Sequence, residues 1–370
     1  MMGTPSRAAV LPAPGAPFEI RHVTVDEPRD GELLVELAAS GLCHTDLGVR
    51  FGGIPFPTPG IIGHEGVGVV RRVGAGVSDI HAGDTVVLSV TSCGTCDRCE
   101  AGRPAYCRNW YPLNIGMGAR PDGSATVHEG DQPLGSHFFA QSSFSHVVIA
   151  ERRNAVKVTS DLPVEMLAPL GCGVLTGVGA MWNVLEVGPE DRVAVFGTGA
   201  VGLSALMAAA LRKPRALVAV DIVPERLDLA RELGATVALD GRDPQLAEKL
   251  REATGGQGLD RVLDTTAQPQ VARTALDALG PNGVVAVCGA PPPGTEIGVD
   301  IQGMLTGKTL VGLTMGAADP QVLIPELVRL VTDGSLSLDR LVRTFPLERI
   351  EDAVAAMHEG SCVKPVIVFG

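Results

Sequence analysis

The sequence predicts a mixed α/β protein in two parts: a β-rich, antiparallel or barrel-like region, and a doubly wound parallel sheet. Three observations support this. Residues 1 to about 90 alternate short β-prone runs (Leu33–Leu37, Val67–Val73, Thr85–Val90) with Gly/Pro turns, without intervening helical periods. From Val193 the pattern changes to strand, Gly-rich turn and helix, repeated. With 370 residues, the chain is long enough for two hydrophobic cores.

Composition excludes several function classes. Hydrophobic residues make up 45% and charged residues 19%, the balance of a packed globular chain. The net charge of −12 and a pI near 5.1 supply no field for nucleic acid or anionic membrane. The stretch MMGTPSRAAVLPAPGAPFEI has no apolar h-region, and no run of about 18 apolar residues occurs anywhere, so a cytoplasmic protein is expected. Eight cysteines in such a chain point to metal rather than disulfides. Cys288 and Cys362 sit in apolar runs and read as small buried hydrophobes.

In chain order, the first chemical signal is Cys43 in Gly41-Leu42-Cys43-His44-Thr45-Asp46. The second is His64 in the Gly-rich Gly63-His64-Glu65-Gly66-Val67-Gly68, and the third is Cys172 in Leu170-Gly171-Cys172-Gly173. Two thiolates and one imidazole make an open three-ligand zinc site whose fourth position is left for water or substrate. Between them, Cys93, Cys96, Cys99 and Cys107 are spaced C-x2-C-x2-C-x7-C, which suits a closed tetrahedral zinc site. An iron–sulfur loop is the rival reading of that spacing. No basic helix follows these cysteines, so a nucleic-acid-reading finger is disfavoured.

Residues 108–136 are polar, Gly-rich and aperiodic, and are expected to form a long functional loop. Phe138 and Phe139 follow, either as pocket wall or as plain core. Farther on, Val193–Phe196 runs into Gly197-Thr198-Gly199-Ala200-Val201-Gly202 and then an Ala/Leu-rich helix. A second strand, Ala216–Val220, ends in Asp221, nineteen residues beyond Gly202. In this context the glycines admit a pyrophosphate at a helix N-terminus, and Asp221 is placed to bond ribose hydroxyls. The acid favours NAD over NADP, with Arg226 as a neighbour of the ribose edge. Helices are expected at Glu225–Leu233, Gln270–Leu279, Pro320–Thr332 and Leu347–Glu359. Strands are expected at Arg261–Asp264, Val284–Gly289, Leu310–Thr314 and Lys364–Phe369.

Taken together, CHTD at 43–46, GHEGVG at 63–68, the four-cysteine loop, GCGVLTG at 171–177 and FGTGAVG at 196–202 resemble the zinc-dependent medium-chain alcohol dehydrogenases, most like their aryl- or benzyl-alcohol branch. The resemblance spans nearly the whole chain. It implies a GroES-like catalytic domain (1–174 and 315–370) around an inserted Rossmann domain (175–314), with NAD and a catalytic zinc in the cleft. By residue, it implies catalytic zinc ligands Cys43, His64 and Cys172, and structural zinc ligands Cys93, Cys96, Cys99 and Cys107. Glu65 would lie near the metal, Asp46 would orient the imidazole, and Thr45 would hydrogen-bond the substrate oxygen. His44 and Lys364 would contact the pyrophosphate, and Thr176 the nicotinamide side.

Ser89, where other members carry a bulky aromatic, would widen a pocket walled by Phe138 and Phe139. One departure stands out. The His that finishes a proton relay five residues after the first zinc cysteine is replaced here by Gly48.

The resemblance implies reversible oxidation of primary alcohols, aromatic or allylic, with two zinc ions per chain, in a homodimer or a tetramer. A thiol-dependent formaldehyde dehydrogenase is the alternative, for which Arg50 and Arg120 could supply basic groups, although both read more readily as surface charges. A general aliphatic alcohol dehydrogenase is a further one. Outside enzymes, a zinc-stabilised nucleic-acid module and a cofactor-binding structural protein are disfavoured by the acidic pI and by the full ligand set.

Overall fold

The computed structural model describes residues 3–289 and 291–370; Met1 and Met2 of the amino-terminal stretch, and Ala290, lie outside them. The chain divides into two compact units, one of 1–172, 319–332 and 338–370, the other of 173–318 and 333–337. Two of the divisions fall where helices begin, at Gly173–Gly179 and Pro320–Thr332, a few residues from 174/175 and 314/315, and 333–337 after the second helix returns to the other unit.

The first unit holds a five-stranded and a seven-stranded sheet. Glu32–Gly41 is the organising strand of the larger one. It pairs antiparallel with Gly66–Val73, with Val147–Glu151 and with Lys364–Val368. Its inward residues Leu33, Val35 and Leu37 pack with Val70, Val86, Leu88 and Val148 in a closed apolar cluster. The register sets Ser40 opposite Gly66 and Gly41 opposite Val366. Three chain segments, at Cys43, His64–Glu65 and Lys364, therefore emerge at one end of the sheet. The functional residues of this unit gather at that end.

The second unit is a six-stranded parallel sheet in the order Val237–Asp240, Ala216–Asp221, Arg192–Phe196, Leu259–Asp264, Leu279–Val287, Thr309–Gly312. Its core strands are continuous Val/Ala/Leu runs, as expected for a sheet covered on both faces.

Three expectations need correction. The helix expected to reach Leu279 ends at Asp277, and Leu279–Gly280 already belong to a strand that bulges before it pairs regularly from Val284. Gly280 breaks the helical period but is tolerated at a bulge. Residues 108–136 are not a plain loop: they contain a π-helical turn, Pro112–Gly116, and a tight pair of short strands, Val127–Glu129 and Gln132–Pro133. Cys288 is half-buried rather than buried, whereas Cys362 is buried. No single helix among the described residues is long and apolar enough to cross a membrane.

Candidate metal centres and dinucleotide site

The sheet end collects Cys43, His64, Glu65 and Cys172 so that one potential ligand atom from each lies within 4.8 Å of the others. Cys43 precedes the short helix His44–Arg50, whose first turn carries Asp46. Asp46 is fully buried and has two tasks. Its Oδ2 accepts the Cys43 N–H at 2.8 Å, and its Oδ1 accepts the His64 Nδ1–H at 2.9 Å. That bond fixes the ring and leaves Nε2 buried with no partner, the arrangement a metal-ligating histidine requires.

The His64 ring stacks on Phe139 (4.5 Å, 24°) and meets Phe138 edge-on (5.6 Å). Both phenylalanines are almost wholly buried, so their first role is to clamp the imidazole. Ser89 does not simply open space. It is buried, and its hydroxyl donates to the Gly171 carbonyl at 2.6 Å, tying it to the residue before Cys172. Thr45 Oγ1 lies 3.9 Å from Cys43 Sγ, and His44 is exposed at the start of its helix.

The ionisable groups of this cluster shift one another strongly. A hydrogen bond from Cys172, against the opposing pull of burial, and the neighbouring His64 hold the Cys43 thiol well below its usual range. Burial pushes the Glu65 carboxyl up to about 7, with Lys364 opposing it. Lys364 is 1% exposed, ion-pairs with Glu65 Oε2 and donates to the Leu42 carbonyl at 2.9 Å. A buried ammonium needs a buried counter-charge, and Glu65 supplies it. Gly41 makes the pair fit: a Cβ there would lie 1.9 Å from Glu65 Oε2 and 3.1 Å from Lys364 Cε.

The second cluster closes over itself. Cys96 and Cys99 sulfurs are 3.6 Å apart, and the Cys93–Cys99 and Cys96–Cys107 pairs are each 4.0 Å apart. A tetrahedron with arms of about 2.3 Å has edges of about 3.8 Å, which matches these separations. Backbone N–H groups of Cys93 and Asn109 reach Cys107 Sγ at 3.3 and 3.4 Å. The Thr95 backbone brings the Cys93 thiol down to about 6, whereas burial pushes Cys107 up to about 12.

In the second unit, Gly197 adopts φ +85°, and a Cβ on Gly202 would lie 1.9 Å from the Gly197 carbonyl oxygen. Neither position takes a side chain without moving backbone, and Gly199 caps the helix Ala200–Ala210 between them. Asp221 ends its strand, 8% exposed, with its carboxylate fully engaged. Thr198 donates to Oδ2 through N–H and hydroxyl at 2.5 and 2.7 Å, and Ile222 and Val223 N–H groups reach Oδ1 at 2.7 and 3.0 Å. Arg226 follows in the helix Pro224–Glu232, its Nε buried without a partner. Thr176 is buried in the helix Gly173–Gly179.

The sequence reading missed Gln141. Its Oε1 accepts the Gly66 N–H at 3.0 Å, and its Nε2 donates to the His64 and Ser89 carbonyls at 3.0 and 2.9 Å. A lone amide inside the run FFAQSSF was the available signal. Thr198, inside the glycine motif, was missed as the partner of Asp221.

Residues 29–160 match the alcohol dehydrogenase GroES-like domain, and residues 200–333 match the zinc-binding dehydrogenase domain. The chain is 41% identical over 366 residues to geraniol dehydrogenase of Castellaniella defragrans, covering 98% of each. It superposes on the crystal structure of benzyl alcohol dehydrogenase from Acinetobacter calcoaceticus with a TM-score of 0.95 at 40% identity, covering 99% of this chain and 100% of that one. It is also 34% identical over 375 residues to S-(hydroxymethyl)glutathione dehydrogenase of Escherichia coli, covering 98% of this chain and all of the relative. With the orphaned imidazole nitrogen and the four-sulfur tetrahedron already in place, these matches have one reading: the chain belongs to the zinc-dependent medium-chain alcohol dehydrogenases.

Proposed function

We propose that this alcohol dehydrogenase acts on aromatic and allylic primary alcohols, converting them reversibly to aldehydes with NAD as hydride acceptor. The observation that carries the zinc chemistry is the buried, partnerless His64 Nε2 facing Cys43 and Cys172. The substrate class is supported by the relatives that share nearly the full chain, one named for geraniol and one for benzyl alcohol.

Cys43, His64 and Cys172 would hold a zinc ion, which would supply Lewis-acid polarisation of the alcohol oxygen, and a bound NAD would accept the hydride. Asp46 keeps the His64 proton on Nδ1, so that Nε2 stays available as a ligand. Thr45 Oγ1, beside Cys43, accepts the hydrogen bond of the alcohol proton and passes it on. Gly48 has no side chain to continue that relay, so water is the final base. Lys364 holds Glu65 by ion pairing and keeps its carboxylate compensated. Gly197, Gly199 and Gly202 would hold the pyrophosphate of NAD, with Thr176 of the same unit toward the nicotinamide side. Asp221 disfavours a 2′-phosphate. Cys93, Cys96, Cys99 and Cys107 hold a structural zinc.

The thiol-adduct alternative loses its proposed basic groups. Arg120 is 2% exposed and saturated by Glu32, Asp26 and the Ala125 carbonyl. Arg50 is 6% exposed, bonded to Glu351 and packed over Phe18 and Phe51. The experiment is NAD reduction by purified zinc-loaded protein with benzyl alcohol, geraniol, ethanol and a formaldehyde–glutathione mixture. The two unsaturated alcohols should give the highest kcat/KM. Turnover of the thiol adduct alone would overturn the reading.

A homodimer is also proposed. Thr309–Gly312 is the edge of the parallel sheet, and Ile301 and Leu305 just before it are 78% and 80% exposed. A monomer in sedimentation equilibrium would refute it.

A further inference from the structure

Between His137 and Ser142 the backbone is strained. His137, Phe139, Ala140 and Ser142 adopt φ of +73°, +51°, +53° and +48°, and no glycine occurs in the stretch. Left-handed backbone crowds a β-carbon, and it persists only where the surroundings enforce it. Here the turn carries the Phe139 ring, whose centroid lies 4.5 Å from that of the His64 imidazole. Gln141 and Ser142 tie the far end of the turn to the His64 and Ile61 carbonyls. The two adjacent strained residues in its middle, Phe139 and Ala140, are held by a different side chain.

That side chain is Asn154. It is fully buried in the tight turn Arg152–Asn154, between the strands Val147–Glu151 and Ala155–Val158. Its Nδ2 donates both hydrogens, one to the Phe139 carbonyl at 2.9 Å and one to the Ala140 carbonyl at 3.0 Å. Two facing carbonyls fix which way the amide points, since its oxygen has nothing to offer them. Oδ1 is buried with no partner, so the polar work of this side chain is spent on the strained turn alone. The Asn154 backbone carbonyl accepts the Ser89 N–H at 2.8 Å, and the Ser89 hydroxyl holds the Gly171 carbonyl next to Cys172.

We propose that Asn154 is a positioning residue of the Cys43–His64–Cys172 centre: it keeps the Phe139–Ala140 backbone left-handed, and that backbone keeps the Phe139 ring against the imidazole. Asp46 fixes one edge of the His64 ring and the stack fixes its plane. Relaxing the turn frees the plane, although every ligand and Asp46 remain. This inference rests on the reading of Cys43, His64 and Cys172 as ligands of one zinc ion. The zinc content of the unaltered protein tests that reading separately, because a single zinc per chain would sink both.

The experiment is chelator competition on the zinc-loaded protein, with the two ions followed separately. Asn154→Asp keeps the shape of the side chain but sets an acceptor against two carbonyls. It should weaken the Cys43–His64–Cys172 ion about tenfold, the lower end for residues that orient a ligand, and leave the four-cysteine ion unchanged. With cobalt(II) in place of zinc, its d–d spectrum should shift as well. Asn154→Ser removes the two-pronged donor without adding charge, and should show the same selective loss with less destabilisation. Phe139→Leu should weaken the same ion, and adding Asn154→Asp to it should cost little more, because the two act in series. Ala140→Gly in the Asn154→Asp protein should recover part of the loss, since glycine takes a left-handed conformation without crowding. Variants at Asn154 that melt earlier but hold both ions as tightly as the unaltered protein, or losses that simply add in the double variant, would overturn the proposal.

Discussion

The two cysteine-bearing clusters solve one chemical problem in opposite ways. The four-cysteine cluster is local: residues 93–107 bring their own sulfurs together, and three of the four are only partly buried. The Cys43–His64–Cys172 cluster is assembled by the sheet, from segments that meet only because Ser40 lies opposite Gly66 and Gly41 opposite Val366. It mixes sulfur and nitrogen and is backed by Asp46, Gln141 and the Glu65–Lys364 pair. A site that only staples the chain can be written into a loop. One that keeps a coordination position open must be held by the fold, since its ligands cannot hold one another.

This contrast can be broken most sharply at Cys43. Cys43→Ala should abolish turnover and remove one of two zinc ions per chain, leaving the other bound, as metal analysis by mass spectrometry would read. Next in size is Cys96→Ser. The zinc of a four-sulfur site contributes on the order of 10 kcal/mol to folding in isolated peptides, so this protein should lose its local order and melt at markedly lower temperature. Residual turnover at low temperature would still be measurable. Equal loss of both metals in either variant would show the clusters to be coupled rather than separate.

Asp46→Asn tests whether the sheet-built site depends on its backing. The ligands remain, but the imidazole loses a charged acceptor, and zinc affinity should fall about 10–100-fold in a chelator competition. The four-cysteine site, without such a residue, offers no equivalent. The smallest effect is expected from Gly41→Ala. The added methyl collides with Glu65 and should destabilise the protein by about 1–3 kcal/mol in urea unfolding, with both zinc ions retained.

The difference between the clusters also explains what could be read from residues alone. The four-cysteine spacing and the Gly197–Gly202 turn are local patterns, and each announces its geometry within a few residues. His64 was legible through its glycine frame and its partner Asp46 only by likeness to a family, whereas the clamp of Phe138 and Phe139 was not foreseen, both having been read as pocket wall or core. Gln141 and the Thr198–Asp221 bonds went unseen because a neutral side chain gains meaning only from the carbonyls and carboxylates that come to face it. The same blindness put Arg50 and Arg120 on the surface. Charge suggested exposure, and the acids that let these cations be buried lie at Glu351 and Glu32.

Lys364 also sets a timetable. The Cys43 loop is anchored by a donor 322 residues downstream, so a ribosome must have delivered the strand Lys364–Val368 before the centre can take its final shape. The four-sulfur loop, complete by Cys107, is free to capture its ion long before that. During synthesis, the staple can therefore close while the working centre is still waiting for its last piece.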